Sequence, residues 1–268
     1  MDSNAPLYAI RDVASMTGVN PVTLRAWQRR YGLINPQRSG KGHRLYSEQD
    51  LQNIRQIMAL LEKGIAIRHV KSLLEKNLDG DDLLEGDLAQ AKGIYDALAA
   101  KNLGRAMQLL NEAIKEYPIQ VVHERLFTVL EQWLNEPPLA GSEIVKSLWH
   151  HCIYNRAQFL VQASLQQGSE KLYLVLMQGS LAHLGWWHAL LLSQQGWQVI
   201  VLEGMREQLN TLDVLLEHSE ALAIYSDAKL TAVQLHKLRQ VAQHTGSDIR
   251  FYGLHAAQNL ALMHEAVS

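Results

Sequence analysis

The chain has little cysteine and no long apolar run. Its 268 residues include one cysteine, Cys152, which excludes an internal disulfide and any metal site built from several cysteines. No window reaches the roughly 18 consecutive apolar residues that a membrane-spanning helix needs, and no basic segment leads into an apolar one at the start of the chain. We therefore expect a cytoplasmic protein in a reducing compartment.

An excess of charge of one sign is also absent, because 25 Lys and Arg residues nearly balance 27 Asp and Glu residues. The balance hides an asymmetry. Residues 1–76 hold 12 basic and 6 acidic side chains, whereas residues 77–268 hold 13 and 21. A basic segment on an acidic body is expected when the segment binds a polyanion and the body does not. The length allows two or three domains.

The basic segment predicts a helix, a tight turn and a second helix. Residues 8–17 have the apolar spacing of a short helix, which Gly18 ends. Asn20 is a natural N-cap and Pro21 suits the first helical position, so we expect a second helix from there to about Tyr31. Four positions then interrupt a helix and predict a hairpin, or wing: Gly32, Pro36, Gly40 and Gly42.

The second helix and the wing together form a cationic surface. We expect Val22, Leu24 and Trp27 to be at least partly buried, with Thr23 and the arginines facing outward. A cationic helix followed by a cationic hairpin suits a DNA groove and its neighbouring phosphates. The candidate DNA-binding residues are Thr23, Arg25, Arg29, Arg30, Arg38, Lys41, His43, Arg44 and Tyr46.

The rest of the chain predicts two further architectures. Ser47 and Asp50 have capping-box spacing and open a helix to about Lys63, and a short helix follows over about Ile67–Leu74. Residues 87–168 have a helical pattern with breaks near residues 101–102, 117–118 and 136–138, which is typical of a four-helix bundle. Beyond Gly168, short apolar runs alternate with helical segments and predict a small parallel α/β sheet, with strands over residues 172–177, 198–202, 221–225 and 249–252.

The basic segment resembles the winged helix-turn-helix domain of the MerR family, in the form of its MlrA- and BluR-like subgroup. The residues that carry the resemblance are the Thr23-Leu24-Arg25-Ala26-Trp27 run and the wing pattern Gly32-Leu33, Pro36-Gln37-Arg38 and Gly42-His43-Arg44-Leu45-Tyr46. The resemblance implies a bacterial transcription regulator that binds a near-palindromic promoter element as a homodimer. It also implies DNA contacts by Arg25, Arg38, Arg44 and Tyr46, and RNA polymerase as a further partner.

The body resembles the cobalamin-binding region fused to some MerR-type repressors, a helical bundle followed by a Rossmann-like α/β domain. That region supplies a histidine ligand from an Asp/Glu-x-His-x-x-Gly motif. With Gly185 as the fixed point, Ser180 stands at the acidic position and Ala182 at the ligand position. His183 is one residue off, and we expect it to be a partly exposed histidine at a loop or helix start. The resemblance therefore implies a degenerate domain, and we expect no cofactor.

The upper half of that motif is also incomplete. Trp133 and Glu143 have the spacing of the Trp…Glu-His pattern in the bundle, but Ile144 stands at the histidine position. We expect the Trp186-Trp187 pair to pack into the core on one side and to offer a surface for a partner protein on the other.

No metal or catalytic site is expected. His150 and His151, and likewise His183 and His188, lack i, i+4 spacing and have no carboxylate arranged beside them in the sequence. Cys152 lies in an apolar helix and is expected to be packed rather than reactive. No nucleophile with its base and no catalytic carboxylate pair stands out.

The preferred interpretation is a DNA-binding regulator, and not an enzyme, whose acidic body receives a signal from a partner protein. A cobalamin- or other small-molecule-sensing regulator is the first alternative, and an enzyme on the α/β domain is the second. The predicted domains are a winged-helix head over residues 1–76, a linker over 77–86, a helical bundle over 87–168 and a degenerate cobalamin-binding-like domain over 169–268.

Overall fold

Contacts between residues divide the chain into two units, Met1–Cys152 and Ile153–Ser268. The computed structural model describes residues 8–76, 89–136, 142–165, 170–177, 179–205, 208–216 and 221–264. Across these residues, no helix combines the length and the apolar content that crossing a membrane requires. The first unit joins the head to most of the helices after it, so the four-domain division stays a prediction; the linker at 77–86 lies outside the described residues.

The first unit begins with the two expected helices. Helix α1 covers Ile10–Thr17 and ends at Gly18, which adopts a φ of 70°. Asn20 caps helix α2, Pro21–Ala26, because its side-chain oxygen accepts hydrogen bonds from two main-chain N–H groups. A π-helical segment, Trp27–Tyr31, continues α2. The helix thus runs to Tyr31 as predicted, with one wider turn at its end.

The buried side of α2 differs from the prediction at two positions. Val22 is 52% exposed, whereas Thr23 is fully buried together with Leu24 and Trp27. Helical geometry explains why Val22 is exposed and Thr23 is buried, because positions i, i+3 and i+7 share a face. Val22 therefore lies on the outward side with Arg25 and the arginine at 29.

The wing is a hairpin of two strands within a small, three-stranded antiparallel sheet. Strand β2, Gln37–Arg38, pairs with strand β3, Arg44–Tyr46, and β3 also pairs with strand β1, Tyr8–Ala9. The hairpin is closed by a hydrogen bond of 2.8 Å from the Ser39 N–H to the His43 carbonyl. The prediction that residues 8 and 9 are helical is wrong, because their main chains pair with β3.

Helices α3, Glu48–Glu62, and α4, Ile67–Lys76, complete the head. Ser47 and Asp50 form the predicted capping box: the Ser47 N–H donates to the Asp50 carboxylate at 2.8 Å, and the Asp50 N–H donates to the Ser47 hydroxyl at 3.1 Å. The apolar side of α3 is buried along its length: Leu51, Ile54, Ile57 and Leu61.

Four helical segments follow among the described residues, and the predicted breaks near residues 101–102 and 117–118 are confirmed; the third, near 136–138, lies mostly outside the described residues. The segments are α5, Ala89–Ala99; α6, Leu103–Glu116; the continuous run of α7, Ile119–Val122, a π-helical segment, His123–Phe127, and α8, Thr128–Asn135; and α9, Ser142–Ser164. Helix α9 crosses the boundary between the two units. In the first unit its Trp149 packs on Phe127 with ring centroids 6.1 Å apart.

The second unit is built on a parallel four-stranded sheet in the order β5-β4-β6-β7. Its elements are β4, Glu170–Met177; α10, Ala182–Gln194; β5, Trp197–Met205; a 3₁₀ helix, Leu209–Val214; β6, Ala221–Tyr225; α11, Ala232–Thr245; β7, Ile249–Tyr252; and α12, Ala256–His264. All three strand pairings are parallel, which confirms the predicted small parallel α/β sheet. Strand β6 is buried at every position because helices cover both faces.

Gly253 follows β7 at a position where no side chain fits. Its φ is 97°, and a Cβ there would overlap the main-chain carbonyl of Ser226. Gly246 is a matched control, because its φ is 71° but no atom lies within 4 Å of the corresponding Cβ position. We expect Gly253→Ala to lower the free energy of unfolding by about 3 kcal/mol and Gly246→Ala by about 1 kcal/mol.

Urea denaturation of the full chain, followed by circular dichroism, measures both effects. Equal stability of the two variants would contradict the close approach of Gly253 to Ser226.

Candidate DNA-binding surface

The head brings most of the predicted contact residues to its surface from two directions. Arg25, Arg29 and Arg30 project from α2 and its π-helical end, and all three are exposed. The wing presents the others: Arg38, Lys41 and His43 are exposed, and Arg44 is half-buried.

Two of the predicted contact residues lie inside the head instead. Thr23 and Tyr46 are fully buried, and neither hydroxyl has a hydrogen-bond partner among the described residues. Burial raises the pKa of Tyr46 to about 12, and the positive charges of Arg44 and Arg25 act in the opposite direction. Both side chains support the surface from below, because neither reaches it in this structure.

Arg25 and Arg44 belong to different elements, but their positive charges act on the same side chain, Tyr46. Arg25 belongs to α2 and Arg44 to β3, yet both charges act on the Tyr46 hydroxyl. The Arg44 Nε donates a hydrogen bond of 2.7 Å to the Oε1 of Gln28, which follows Trp27 in the π-helical segment. The helix and the wing therefore form one cationic surface.

The wing orders its own tip by local hydrogen bonds. The Arg38 Nη1 donates to the Gly42 carbonyl at 3.3 Å, and the His43 N–H donates to the Ser39 hydroxyl at 3.1 Å. Gly42 adopts a φ of 81°, which a residue with a side chain rarely takes. The tip thus holds Lys41 outward.

Three carboxylates of α1 and α3 accept hydrogen bonds from neighbouring groups of the head. The main-chain N–H of Ala9 donates to Asp12, Asp50 caps α3, and Glu48 accepts a hydrogen bond of 3.1 Å from the Tyr8 hydroxyl. The Glu48–Tyr8 contact raises the pKa of the Tyr8 hydroxyl. Residues 21–31 and 37–46, which form α2 with its π-helical end and the wing, contain no acidic residue, so their basic side chains set the sign of the surface.

The arginine-bearing helix is attached to the helices behind it. The indole Nε1 of buried Trp27 donates a hydrogen bond of 2.8 Å to the Glu116 carbonyl, and the Glu116 carboxylate pairs with Arg30. Burial raises the pKa of Tyr31, and the Glu116 charge raises it further. No local sequence pattern marks Glu116, because it lies 86 residues from Arg30.

The second unit does not present the cobalamin-ligand pattern. Ala182 begins α10 at the ligand position, and the Ser180 hydroxyl accepts a hydrogen bond of 3.2 Å from the Asp227 N–H. His183 is the second residue of α10 and is 6% exposed, so the prediction of a partly exposed histidine is wrong. Gly185 allows close packing, because a Cβ there would lie 2.6 Å from Leu176.

The edge of the sheet where the strands end is occupied by the chain's own side chains. The Asp227 carboxylate accepts hydrogen bonds from the Leu181 N–H at 2.8 Å and from the Tyr225 hydroxyl at 3.0 Å. His188 packs on Tyr252 with ring centroids 4.4 Å apart. Ligands of open α/β sheets bind at this edge, so these contacts occupy a common ligand position.

Other predicted features of the body are now placed. Trp186 and Trp187 are both buried, so they do not offer the partner surface that we expected.

Burial raises the pKa of the Cys152 thiol to about 11, in agreement with a packed rather than reactive side chain. A carboxylate does lie beside His150, contrary to the prediction, because the Glu131 Oε1 is 3.8 Å from its Nε2. Burial lowers the pKa of His150.

Comparison with known proteins agrees with the basic head and extends beyond it. A family model described as MerR HTH family regulatory protein matches residues 8–77. The HTH-type transcriptional regulator MlrA of Escherichia coli (strain K12) is 32% identical over 243 residues, which cover 91% of this chain and 97% of that protein.

Two further relatives match different lengths of this chain. The HTH-type transcriptional regulator MlrA of Salmonella typhimurium (strain SL1344) is 34% identical over 73% of this chain and 79% of its own length. The HTH-type transcriptional repressor CarH of Myxococcus xanthus is 34% identical over 52% of this chain and 44% of its own length. The chain therefore belongs to the MerR family of helix-turn-helix, DNA-binding transcriptional regulators.

Proposed function

We propose that the chain binds a near-palindromic promoter element as a homodimer, through α2 and the wing of each copy. The observation that carries this proposal is the single cationic surface that Arg25 and Arg44 form on two different elements. A recognition helix enters the major groove, and a wing reaches the neighbouring backbone. One head covers one half-site, so a near-palindrome requires two copies related by a two-fold axis.

Most of the proposed contacts are to phosphates. Guanidinium groups bind phosphate oxygens bidentately and also read guanine edges, whereas lysine and imidazole position the duplex without reading much sequence. Val22 lies on the exposed side of α2 beside Arg25, where an apolar side chain contacts a thymine methyl group. The proposed contact residues are Arg25, Arg29, Arg30, Arg38, Lys41, His43 and Arg44, with Thr23 and Tyr46 supporting them.

The body receives the signal from a partner protein in this proposal, and it acts without a cofactor and without catalysis. Support comes from the occupied edge of the sheet and from Ala182, which has no ligand atom at the position of the histidine. Residues 87–168 would then form a bundle domain and residues 169–268 a degenerate cobalamin-binding-like domain. A regulator bound at a promoter also has RNA polymerase as a partner.

Arginine substitutions test the DNA-binding surface. We expect Arg25→Ala and Arg44→Ala each to weaken DNA binding about tenfold, the value of a charge-assisted contact of about 1.4 kcal/mol. The slope of log K against log salt should fall by about 0.9 for each lost phosphate contact. The measurement is fluorescence anisotropy at several salt concentrations, on a duplex that the wild-type chain enriches from a random pool and on a scrambled duplex.

Arg55→Ala is the matched control, because Arg55 is an exposed arginine of α3 near Glu48 and outside the proposed surface. Wild-type affinity in both α2 and wing variants, or an equal loss in Arg55→Ala, would refute the assignment.

Absorption spectroscopy tests the proposed loss of the cofactor site. After incubation with cobalamin and desalting, the chain should retain no corrin absorption, because Ser180 and Ala182 replace the acid and the ligand. A retained stoichiometric corrin spectrum would instead support the cobalamin-sensing alternative.

A further inference from the structure

Both the main chain and the side chain of Arg44 are fixed by hydrogen-bonded partners. Its main chain is paired with Arg38 in the wing ladder, and its side-chain Nε donates to the Gln28 Oε1 at 2.7 Å. Gln28 and Arg44 are both half-buried, so the hydrogen bond lies at the base of the cationic surface. A long side chain that is free in most surface positions is fixed here before any ligand arrives.

The chemistry of this contact leaves the binding end of the guanidinium available. A guanidinium has five N–H donors, and the Nε–H points to one side of the planar group. With that donor engaged, one N–H of each terminal nitrogen still points end-on, a geometry that matches two oxygens of a phosphate.

Charge distinguishes this arginine from its neighbour Arg30. Arg30 pairs with the carboxylate of Glu116, which offsets its positive charge. Gln28 is a neutral amide, so it orients Arg44 and leaves the whole charge for another anion. Release of counterions from DNA depends on that uncompensated charge.

We propose that Gln28 is a positioning residue for DNA binding: it holds the Arg44 guanidinium end-on toward a backbone phosphate. The proposal rests on the proposed DNA-binding function of the head and adds to it a residue that does not itself touch DNA. Fixing the side chain in advance lowers the entropy that is lost on binding, so the contribution of Gln28 reaches DNA only through Arg44.

The test is a double-mutant cycle between Gln28→Met and Arg44→Ala, measured by anisotropy on the duplex that the wild-type chain enriches. Met has nearly the shape of Gln but no acceptor oxygen. We expect Gln28→Met to weaken binding about fivefold in the wild-type chain and to have no effect in the Arg44→Ala chain. Gln49→Met, in an exposed glutamine of α3 that bonds to Asn53, is the matched control and should bind as the wild type does.

A second variant separates orientation from charge. Gln28→Glu keeps an acceptor for the Nε but adds a negative charge, so we expect it to preserve the hydrogen bond while weakening DNA binding and lowering the salt slope. The Arg44 Nε–H resonance in nitrogen-15 NMR reports the hydrogen bond: slow exchange with water in the wild type and in Gln28→Glu, and fast exchange in Gln28→Met. Thermal unfolding confirms that each variant folds.

Three outcomes overturn the proposal, and each identifies what failed. Wild-type affinity of Gln28→Met removes the role of Gln28 alone. An equal loss from Gln28→Met with and without Arg44 shows that Gln28 acts independently of that arginine. If the folded wild-type chain enriches no duplex from the pool, the proposed DNA-binding function fails, and the positioning role fails with it.

Discussion

One hydrogen bond, from the indole of Trp27 to the main-chain carbonyl of Glu116, determines how the arginine-bearing helix is held. Trp27 is fully buried, and a buried indole N–H needs an acceptor. Glu116 ends α6, where the last carbonyls of a helix have no partner within it. Each group thus satisfies the other across 89 residues of sequence, and the bond attaches the arginine-bearing helix to the end of α6.

The same principle recurs wherever the head meets the helices that follow it. Arg125 donates a hydrogen bond of 3.2 Å to the Leu61 carbonyl at the end of α3, and the Ile67 N–H at the start of α4 donates to the Tyr117 hydroxyl at 3.4 Å. The C-terminal end of α3 and the N-terminal end of α4 are therefore each capped by a side chain from the body. Because buried polar groups would lose their partners on separation, the head and these helices form the single unit Met1–Cys152.

Sequence predicted the parts of this fold that depend on near neighbours. The caps at Asn20 and Ser47 need only a side chain two or three residues from an N–H group, and the strands of the second unit need only short apolar runs between helices. The buried side of α2 was harder to predict, because Val22 and Thr23 are 100° apart around the helix and both side chains are compatible with burial. Glu116 had no signal at all, because its role arises from a contact made only in the folded chain.

The core of the second unit is built without the side chains at positions 180 and 182. Its apolar core lies along the strands, with Val175, Leu222 and Ile224 among the buried side chains. Ser180 and Ala182 lie beyond the strand ends and are not part of that core. The Asp227 carboxylate accepts hydrogen bonds from a main-chain N–H group and a tyrosine hydroxyl at this edge. Stability and ligand chemistry thus reside in different residues, so side chains at this edge can change while the fold is kept.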